Sequence, residues 1–180
     1  MRGRANDHED FLRATLRHAD MLHTLATRLA PHPADAADIV QDTYLRAFAA
    51  WYRRRPDDVG AWLATICLNV GRDERRRHAR RSAAVCSGPV PDLPDRADTA
   101  EAALERLGTS RVKAALRTLP DSQRIAITLM DLCGFTAAQV AAITGAPRGT
   151  VLARVHRGRK ALALSMHDDR EPAKTPQPPR

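Results

Sequence analysis

The sequence has little of what builds β-sheets or cross-linked scaffolds. Aromatic residues make up 4% of its 180 residues, and there are only nine glycines and three cysteines. Cys67, Cys86 and Cys133 are odd in number and widely spaced, and they form no CxxC pair, so neither a disulfide framework nor a zinc site is predicted. No segment resembles a signal peptide, and no apolar run approaches the roughly 20 residues that span a bilayer. We therefore expect a cytoplasmic protein without membrane insertion.

Motifs for enzyme chemistry are also missing. The seven histidines form no HExxH or other ligand cluster. No Ser–His–Asp set, phosphate loop or dinucleotide fingerprint is present. We therefore expect a protein that is not an enzyme and that uses no cofactor and no metal.

The charge that is present is mainly of one sign. The chain has 29 Lys and Arg against 21 Asp and Glu, for a formal net charge of +8. Such an excess indicates a polyanionic partner, most often nucleic acid, although the arginine usage of a GC-rich genome produces it too. Alanine, leucine and arginine dominate, and all three favour helices, so the predicted fold class is all-α.

Apolar periodicity predicts a first helical domain over residues 6–81. Its three helices are indicated by apolar residues that recur at helical spacing. They are expected to run from an N-cap at Asn6 to Leu29, from about Ala34 to Trp51, and from Asp57 or Asp58 onward.

A change in composition follows this domain. Residues 82–108 hold five acidic and two basic side chains among prolines, which predicts a flexible acidic linker. Residues 109–166 are predicted to form a second helical domain. The tail, residues 167–180, has four prolines and no apolar pattern, so it is predicted to be disordered.

The second domain has the local signals of a helix-turn-helix. Gly134 is placed as a left-handed stop, and Thr136 with Gln139 three residues later forms a capping box. The motif itself is indicated by a small residue, a glycine at the turn and an apolar residue in the core shared by the two helices, at the expected spacing: Ala141, Gly145 and Val151.

The last helix of this domain is basic throughout. It has no acidic residue from Pro147 to Met166, and arginine can fork onto phosphates or onto guanine edges in the major groove. A basic solvated face on a helical hairpin is the alternative, but the caps, the turn and the charge agree better with DNA reading. The residues expected at the DNA are Arg148, Thr150, Arg154 and Arg157.

An acidic surface is predicted on the second helix. Asp35, Asp38 and Asp42 follow at i, i+3 and i+7, which places them on one face. No further ligands lie nearby for a general acid–base pair or a metal. Two interpretations of the acidic face remain. It is a solvated face whose charges the helix dipole favours, or it is a docking face for a basic partner.

A polar stripe is predicted on the third helix. It consists of Thr65, Asn69, Arg72 and Arg76, with Trp62 at its edge. Asparagine, arginine and an aromatic ring on one surface suit single-stranded or distorted DNA. From this helix alone, a basic helix end with Trp62 in the core explains the stripe equally well.

Three runs in the first domain and three in the second together resemble one known family. They are Asp35–Phe48, Ala61–Ile66, Asn69 and Asp73 with the arginines behind it, Leu119–Arg124, Gly134–Thr136 and Gly149–Arg157. The chain resembles the extracytoplasmic-function sigma factors of bacterial RNA polymerase. That resemblance implies a factor that binds core polymerase and directs promoter recognition, DNA melting and transcription initiation.

The resemblance also implies roles for the surfaces. The two domains would meet the clamp helices of the largest polymerase subunit and the flap, and the linker would thread toward the RNA exit path. The polar stripe would engage the melted downstream promoter element, and the basic last helix would read the upstream element as duplex. Such factors are often held inactive by an anti-sigma protein. The implied docking residues are Asp35, Asp38, Gln41 and Asp42.

Two other classes of protein compete with this interpretation. A conventional helix-turn-helix regulator with a helical sensor domain explains the second domain, but neither the acidic helix nor the stripe from Trp62 to Arg76. A helical interaction protein, such as an anti-sigma partner, does not explain the basic last helix.

Overall fold

Helix-forming residues at helical spacing produce helices throughout the described part of the chain. The computed structural model describes residues 2–53, 55–84 and 112–168. No strand occurs within these ranges, and the predicted all-α class is confirmed. Helices α4 and α8 extend to Ala84 and Asp168, into the first residues of the predicted linker and tail. The rest of the predicted linker, residues 85–108, and of the predicted tail, residues 169–180, lies outside the described residues.

The helices of the first domain are α1 (Arg2–Thr15), a 3₁₀ turn (Leu16–His18), α2 (Ala19–Leu29), α3 (Asp35–Trp51) and α4 (Val59–Ala84). Those of the second domain are the helical residues 112–118 (α5), α6 (Asp121–Ile127), a π-helical turn (Thr128–Leu132), α7 (Ala137–Thr144) and α8 (Arg148–Asp168).

The first predicted helix is interrupted, and its predicted cap is wrong. Helix α1 begins at Arg2, so Asn6 lies inside the helix. Thr15 precedes the 3₁₀ turn, and its hydroxyl donates to the Phe11 carbonyl at 2.8 Å, a bond of the kind that bends helices. Phe11 and Leu22, three helical turns apart in the sequence, are both buried across this bend, so their apolar spacing does not reveal it.

Helices α2, α3 and α4 enclose the core of the first domain. Each large apolar side chain buried there contributes about 1.5–3 kcal/mol. The Phe11 ring anchors α1 by an edge-to-face contact with Trp51, with ring centroids 5.5 Å apart. The fully buried side chains of this core include Leu22, Leu25, Leu29, Ile39, Leu63 and Leu68.

The local signals of the helix-turn-helix are confirmed. Gly134 and Gly145 adopt φ angles of 75° and 71°, in the left-handed region that favours glycine. The Thr136 N–H donates to Gln139 Oε1 at 2.9 Å, and the Gln139 N–H donates to Thr136 Oγ1 at 3.3 Å, which completes the capping box. Gly145 therefore turns the chain between α7 and α8.

The apolar stripe predicted over Ile125, Leu129 and Leu132 is only partly correct. Ile125 and Leu129 are buried, but Leu132 is 45% exposed. The π-helical turn Thr128–Leu132 widens the helix there, and a wider turn rotates the following side chains away from the face that a regular helix would give them.

The two domains share one apolar core, which the sequence did not predict. Side chains of α6, the π-helical turn, α7 and α8 belong to the same buried cluster as α2, α3 and α4. A hydrogen bond also joins the two domains, because Gln139 Nε2 donates to Asp58 Oδ2 at 2.8 Å. The second domain contributes Ile125, Leu129, Val140, Ile143 and Val151.

The close approach of α2 and α4 gives a stability prediction. A Cβ atom at Gly71 would lie 2.7 Å from Leu29 Cβ and 2.9 Å from Leu29 Cδ1. Because the fully buried Leu29 Cβ moves only with its helix, we expect Gly71→Ala to lower the free energy of unfolding by about 1–3 kcal/mol. Urea unfolding followed by circular dichroism measures this change.

Gly149→Ala is the matched control. A Cβ atom at Gly149 meets nothing within 4 Å. Alanine is the better helix former, so this variant should be neutral or stabilised by up to about 1 kcal/mol. Equal loss of stability in the two variants would contradict the tight α2–α4 approach.

Candidate docking and nucleic-acid interfaces

The acidic face of α3 borders a groove against α4. Ile39 and Thr43 turn into the core, which leaves Asp38 and Gln41 exposed and Asp35 and Asp42 half-buried. The structure thus brings the four predicted docking residues to one surface, which we call the acidic groove. Its other wall is formed by α4 residues: Val70, Glu74, Arg77 and Arg81.

The arginines in this groove do not neutralise its aspartates. Glu74 holds both of them, with its Oε2 3.0 Å from Arg77 Nη1 and its Oε1 2.6 Å from Arg81 Nη2. Within residues 7–53, 55–83 and 112–166, no ion pair involves Asp35, Asp38 or Asp42. The carboxylates therefore remain available to a basic partner.

The polar stripe of α4 divides into an embedded part and an exposed part. The half-buried Trp62 ring lies 6.0 Å from the Trp51 ring at 47°, and the half-buried Thr65 donates its hydroxyl to the Ala61 carbonyl at 2.8 Å. Asn69, Arg72 and Arg76 are exposed. The exposed end is therefore the part most able to contact a nucleic acid.

The basic residues of α8 also divide into two groups. Arg148 and Arg157 are exposed, whereas Thr150 and Arg154 are half-buried at the contact between the domains. Farther along the helix, Arg159 is held by Asp131, with Arg159 Nε 3.0 Å from Asp131 Oδ2.

One cleft between the domains collects residues from both predicted DNA surfaces. Arg72 and Arg76 line it from α4, and Thr150 and Arg154 line it from α8. We call it the interdomain cleft. The other predicted DNA residues lie outside its lining: Trp62, Thr65, Asn69, Arg148 and Arg157.

An ion pair that the sequence did not reveal closes this cleft. Arg75 pairs with Asp121, and its Nε donates to the Leu29 carbonyl at 2.8 Å. Asp121 also pairs with Arg124. In the sequence, nothing distinguishes Arg75 from the arginines around it. The one feature that could have indicated the ion pair is Asp121, an acidic residue directly after Pro120 at the start of a helix.

Neither described cysteine has the character of a redox sensor. Cys67 is buried and Cys133 is half-buried, and both are free thiols. Burial raises the pKa of Cys67 to about 12 and the pKa of Cys133 to about 11. Cys86 lies outside the described residues.

The described residues carry neither a metal cluster nor a membrane helix. Across residues 2–53, 55–84 and 112–168, no three His, Cys, Asp or Glu side chains are grouped to hold a metal ion. Within the same ranges, none of the helices combines the length and apolar character needed to span a bilayer.

Comparison with family models identifies both domains. Residues 15–81 match the model described as Sigma-70 region 2, and residues 109–162 match Sigma-70, region 4. The chain is 34% identical over 160 residues to the ECF RNA polymerase sigma factor SigL of Mycobacterium tuberculosis, covering 84% of this chain and 85% of that protein. It is also 34% identical over 151 residues to SigE of Mycolicibacterium smegmatis, covering 81% of this chain but only 57% of that relative.

Solved structures agree with these matches. The sigma factor RpoE from Bartonella quintana, in complex with the anti-sigma factor NepR, aligns with a TM-score of 0.73 at 30% identity. That alignment covers 90% of this chain and 99% of RpoE. CnrH in complex with the cytosolic domain of CnrY aligns with a TM-score of 0.68 at 27% identity, covering 90% of each chain.

Sigma-70 regions 2 and 4 on an all-α fold define a transcription initiation factor that binds DNA. The chain belongs to the family of extracytoplasmic-function (ECF) sigma factors. The resemblance seen in the sequence is confirmed. The regulator with a sensor domain is excluded as an interpretation, because the first domain matches region 2.

The raised thiol pKa values give a chemical prediction. At pH 8 roughly a thousandth or less of either thiol is ionised, and the thiolate is the reactive form. We expect iodoacetamide to modify Cys67 and Cys133 at least about 100-fold more slowly in the native protein than in concentrated urea. Peptide mass spectrometry over time measures both rates. Rapid native modification of Cys133 would contradict its inert character.

Proposed function

We propose that this chain binds core RNA polymerase and directs it to a specific set of promoters in the cytoplasm, where it favours the opened DNA. The observation that carries the proposal is the pairing of sigma-70 regions 2 and 4 on a fold with an acidic groove and with basic residues from both regions around one cleft. The factor makes and breaks no bonds. Its binding energy for polymerase and for two DNA elements shifts the promoter toward the melted state.

Each surface has a role in this proposal. The acidic groove docks on the clamp helices of the largest polymerase subunit, and its exposed Asp38 and unpaired Asp42 supply the charge. The exposed end of the α4 stripe, from Asn69 to Arg76, engages the melted downstream element. Helix α8 enters the major groove of the upstream element, where Arg154 reaches base edges or phosphates.

The proposed domain division follows these roles. Residues 6–81 carry the polymerase and downstream-element surfaces, and residues 109–166 carry the upstream-element surface near the flap. Residues 82–108 join them and pass toward the RNA exit path, and residues 167–180 form a tail.

Promoter binding requires the two domains to separate. Thr150 and Arg154 face Arg72 and Arg76 across the interdomain cleft. A recognition helix reads DNA by placing its N-terminal residues in the major groove, so those side chains have to leave the cleft. Core polymerase favours the separated arrangement when it holds the domains at the spacing of the two promoter elements.

An anti-sigma protein is the proposed inhibitor. RpoE, whose fold this chain shares along most of its length, was solved with the anti-sigma factor NepR. A protein that binds the closed arrangement of the present chain keeps Thr150 and Arg154 in the cleft and removes both DNA surfaces from promoters.

Transcription with purified components tests the function together with the docking surface. We expect the protein and core polymerase to start transcripts at defined sites on genomic DNA of the source organism, read by sequencing of 5′ ends. Asp38→Arg combined with Asp42→Arg should weaken core binding at least about tenfold, because two carboxylates in the groove become cations.

The matched control is Asp20→Arg combined with Asp57→Arg, which makes the same charge change at two exposed positions outside the groove. It should bind core polymerase like the unmodified chain. Equal affinities for both double variants would remove the docking assignment. Promoter binding by the protein alone, unaffected by core enzyme, would contradict the sigma-factor function itself.

A second prediction concerns upstream-element reading. Arg154→Ala should weaken the upstream footprint of the holoenzyme by roughly 5- to 150-fold, the range of one lost side-chain contact of about 1–3 kcal/mol. Arg159→Ala on the same helix is the control, because Asp131 already holds that guanidinium. Quantitative DNase footprinting distinguishes them, and an unchanged footprint for Arg154→Ala would refute that contact.

A further inference from the structure

A second cavity at the boundary of the two domains is lined by positive charge. Its volume is about 220 Å³, and no acidic residue of the described chain lines it. We call it the cationic pocket. Thr27, Ala30, Pro31 and Leu116 complete the wall. The cationic residues are Arg28 and Arg75 of the first domain and Lys113, Arg117 and Arg124 of the second.

Two of these cations are fixed by the protein. Arg75 donates to the Leu29 carbonyl, and Arg124, only 8% exposed, donates from Nη1 to the Arg117 carbonyl at 3.3 Å. Both pair with the single carboxylate of Asp121. One carboxylate therefore serves two guanidinium groups, and Asp121 does not line the pocket.

Two arginines of the pocket also have buried hydrogen-bond donors without acceptors. Nε of Arg28 and Nε of Arg124 are buried, and neither has a hydrogen-bond partner within the described structure. A buried donor left unpaired costs about 1–3 kcal/mol, and more when it is charged. Burial, and then the charge of Arg117, lower the pKa of Arg28; burial, and then the charge of Arg75, lower the pKa of Arg124. An anion in the pocket would offset the repulsion between these cations.

We propose that the cationic pocket binds a phosphate-class oxyanion, as inorganic phosphate, as pyrophosphate or as the phosphate end of a nucleotide. Guanidinium groups present parallel N–H donors that match phosphate oxygens two at a time. A cavity of about 220 Å³ admits such a group and excludes a nucleic-acid duplex. No residue of the first-domain DNA stripe, and none of the acidic groove, lines the pocket.

Binding at this pocket links the oxyanion to promoter use. The pocket exists only while Arg28 and Arg75 stand opposite Lys113, Arg117 and Arg124, which is the closed arrangement. A ligand that binds one arrangement shifts the equilibrium toward it. By reciprocity, promoter DNA and core polymerase, which require the separated arrangement, weaken oxyanion binding. The pocket thus gives the factor a small-molecule input distinct from any protein inhibitor.

Calorimetric titration of the full chain tests the proposal without polymerase or DNA. Sodium phosphate, pyrophosphate and AMP are titrated separately at constant ionic strength, with sodium chloride as the reference anion. We expect one saturable site for phosphate-bearing ligands and none for chloride. The ranking of the three affinities identifies which source of phosphate the pocket prefers.

Variants from each domain locate the site. Arg28→Gln in the first domain and Arg117→Gln in the second should each raise the dissociation constant at least tenfold. Arg117 is exposed, so its variant remains informative if the half-buried Arg28 proves necessary for folding. Arg17→Gln, which removes one exposed charge outside the pocket, should bind like the unmodified chain.

Three outcomes would overturn the proposal. They are the absence of saturable binding for all three phosphates, equal weakening by Arg17→Gln, and full affinity in Arg117→Gln. The first means that no site exists, the second that binding reflects net charge, and the third that the second domain contributes nothing. None of these results bears on binding to core polymerase, so the proposed function is tested independently.

Discussion

The apolar contact between the two domains holds them in the closed arrangement. Leu129, Val140 and Ile143 are buried in the same cluster as the leucines of α2. Each such burial contributes about 1.5–3 kcal/mol, which is enough to bring polar groups together that would not associate by themselves. Because this face is covered, α7 packs against α4, residues of α4 and α8 line one cleft, and Arg75 meets Asp121. In the proposed function, this contact is exchanged for contacts with polymerase and DNA.

The distribution of charge gives the molecule an acidic and a basic surface. Glu74 is central to this separation, because it pairs with Arg77 and Arg81, which form no ion pair with the aspartates of α3 in the described structure. The acidic groove and the interdomain cleft therefore lie on neighbouring sides of α4 as regions of different charge. A helix with basic residues along its whole exposed surface would have neutralised the docking face. The net charge of +8 hides this arrangement, since a total carries no information about position.

Much of the candidate site could be predicted because its residues follow one another on a helix. The aspartates of α3 share a face at the spacing i, i+3 and i+7, and any α-helix produces that result. The division of the α4 stripe could not be predicted in the same way. Trp62 is half-buried beside Trp51 of α3, and Thr150 is half-buried in the wall of the interdomain cleft. Both facts depend on how distant helices pack.

Local sequence accounts for the features that depend on neighbours a few residues away: the helical class, the Thr136–Gln139 capping box and the left-handed turn at Gly145. Long-range packing sets the closed pairing of the domains, the selection of Arg75 among similar arginines as the partner of Asp121, and the grouping of five cations around one pocket. The difference lies in how far apart in the sequence the interacting groups are. Caps and turns are stabilised by backbone groups within one helical turn, whereas the environment of an arginine 46 positions from its carboxylate is set only by which apolar faces are buried together.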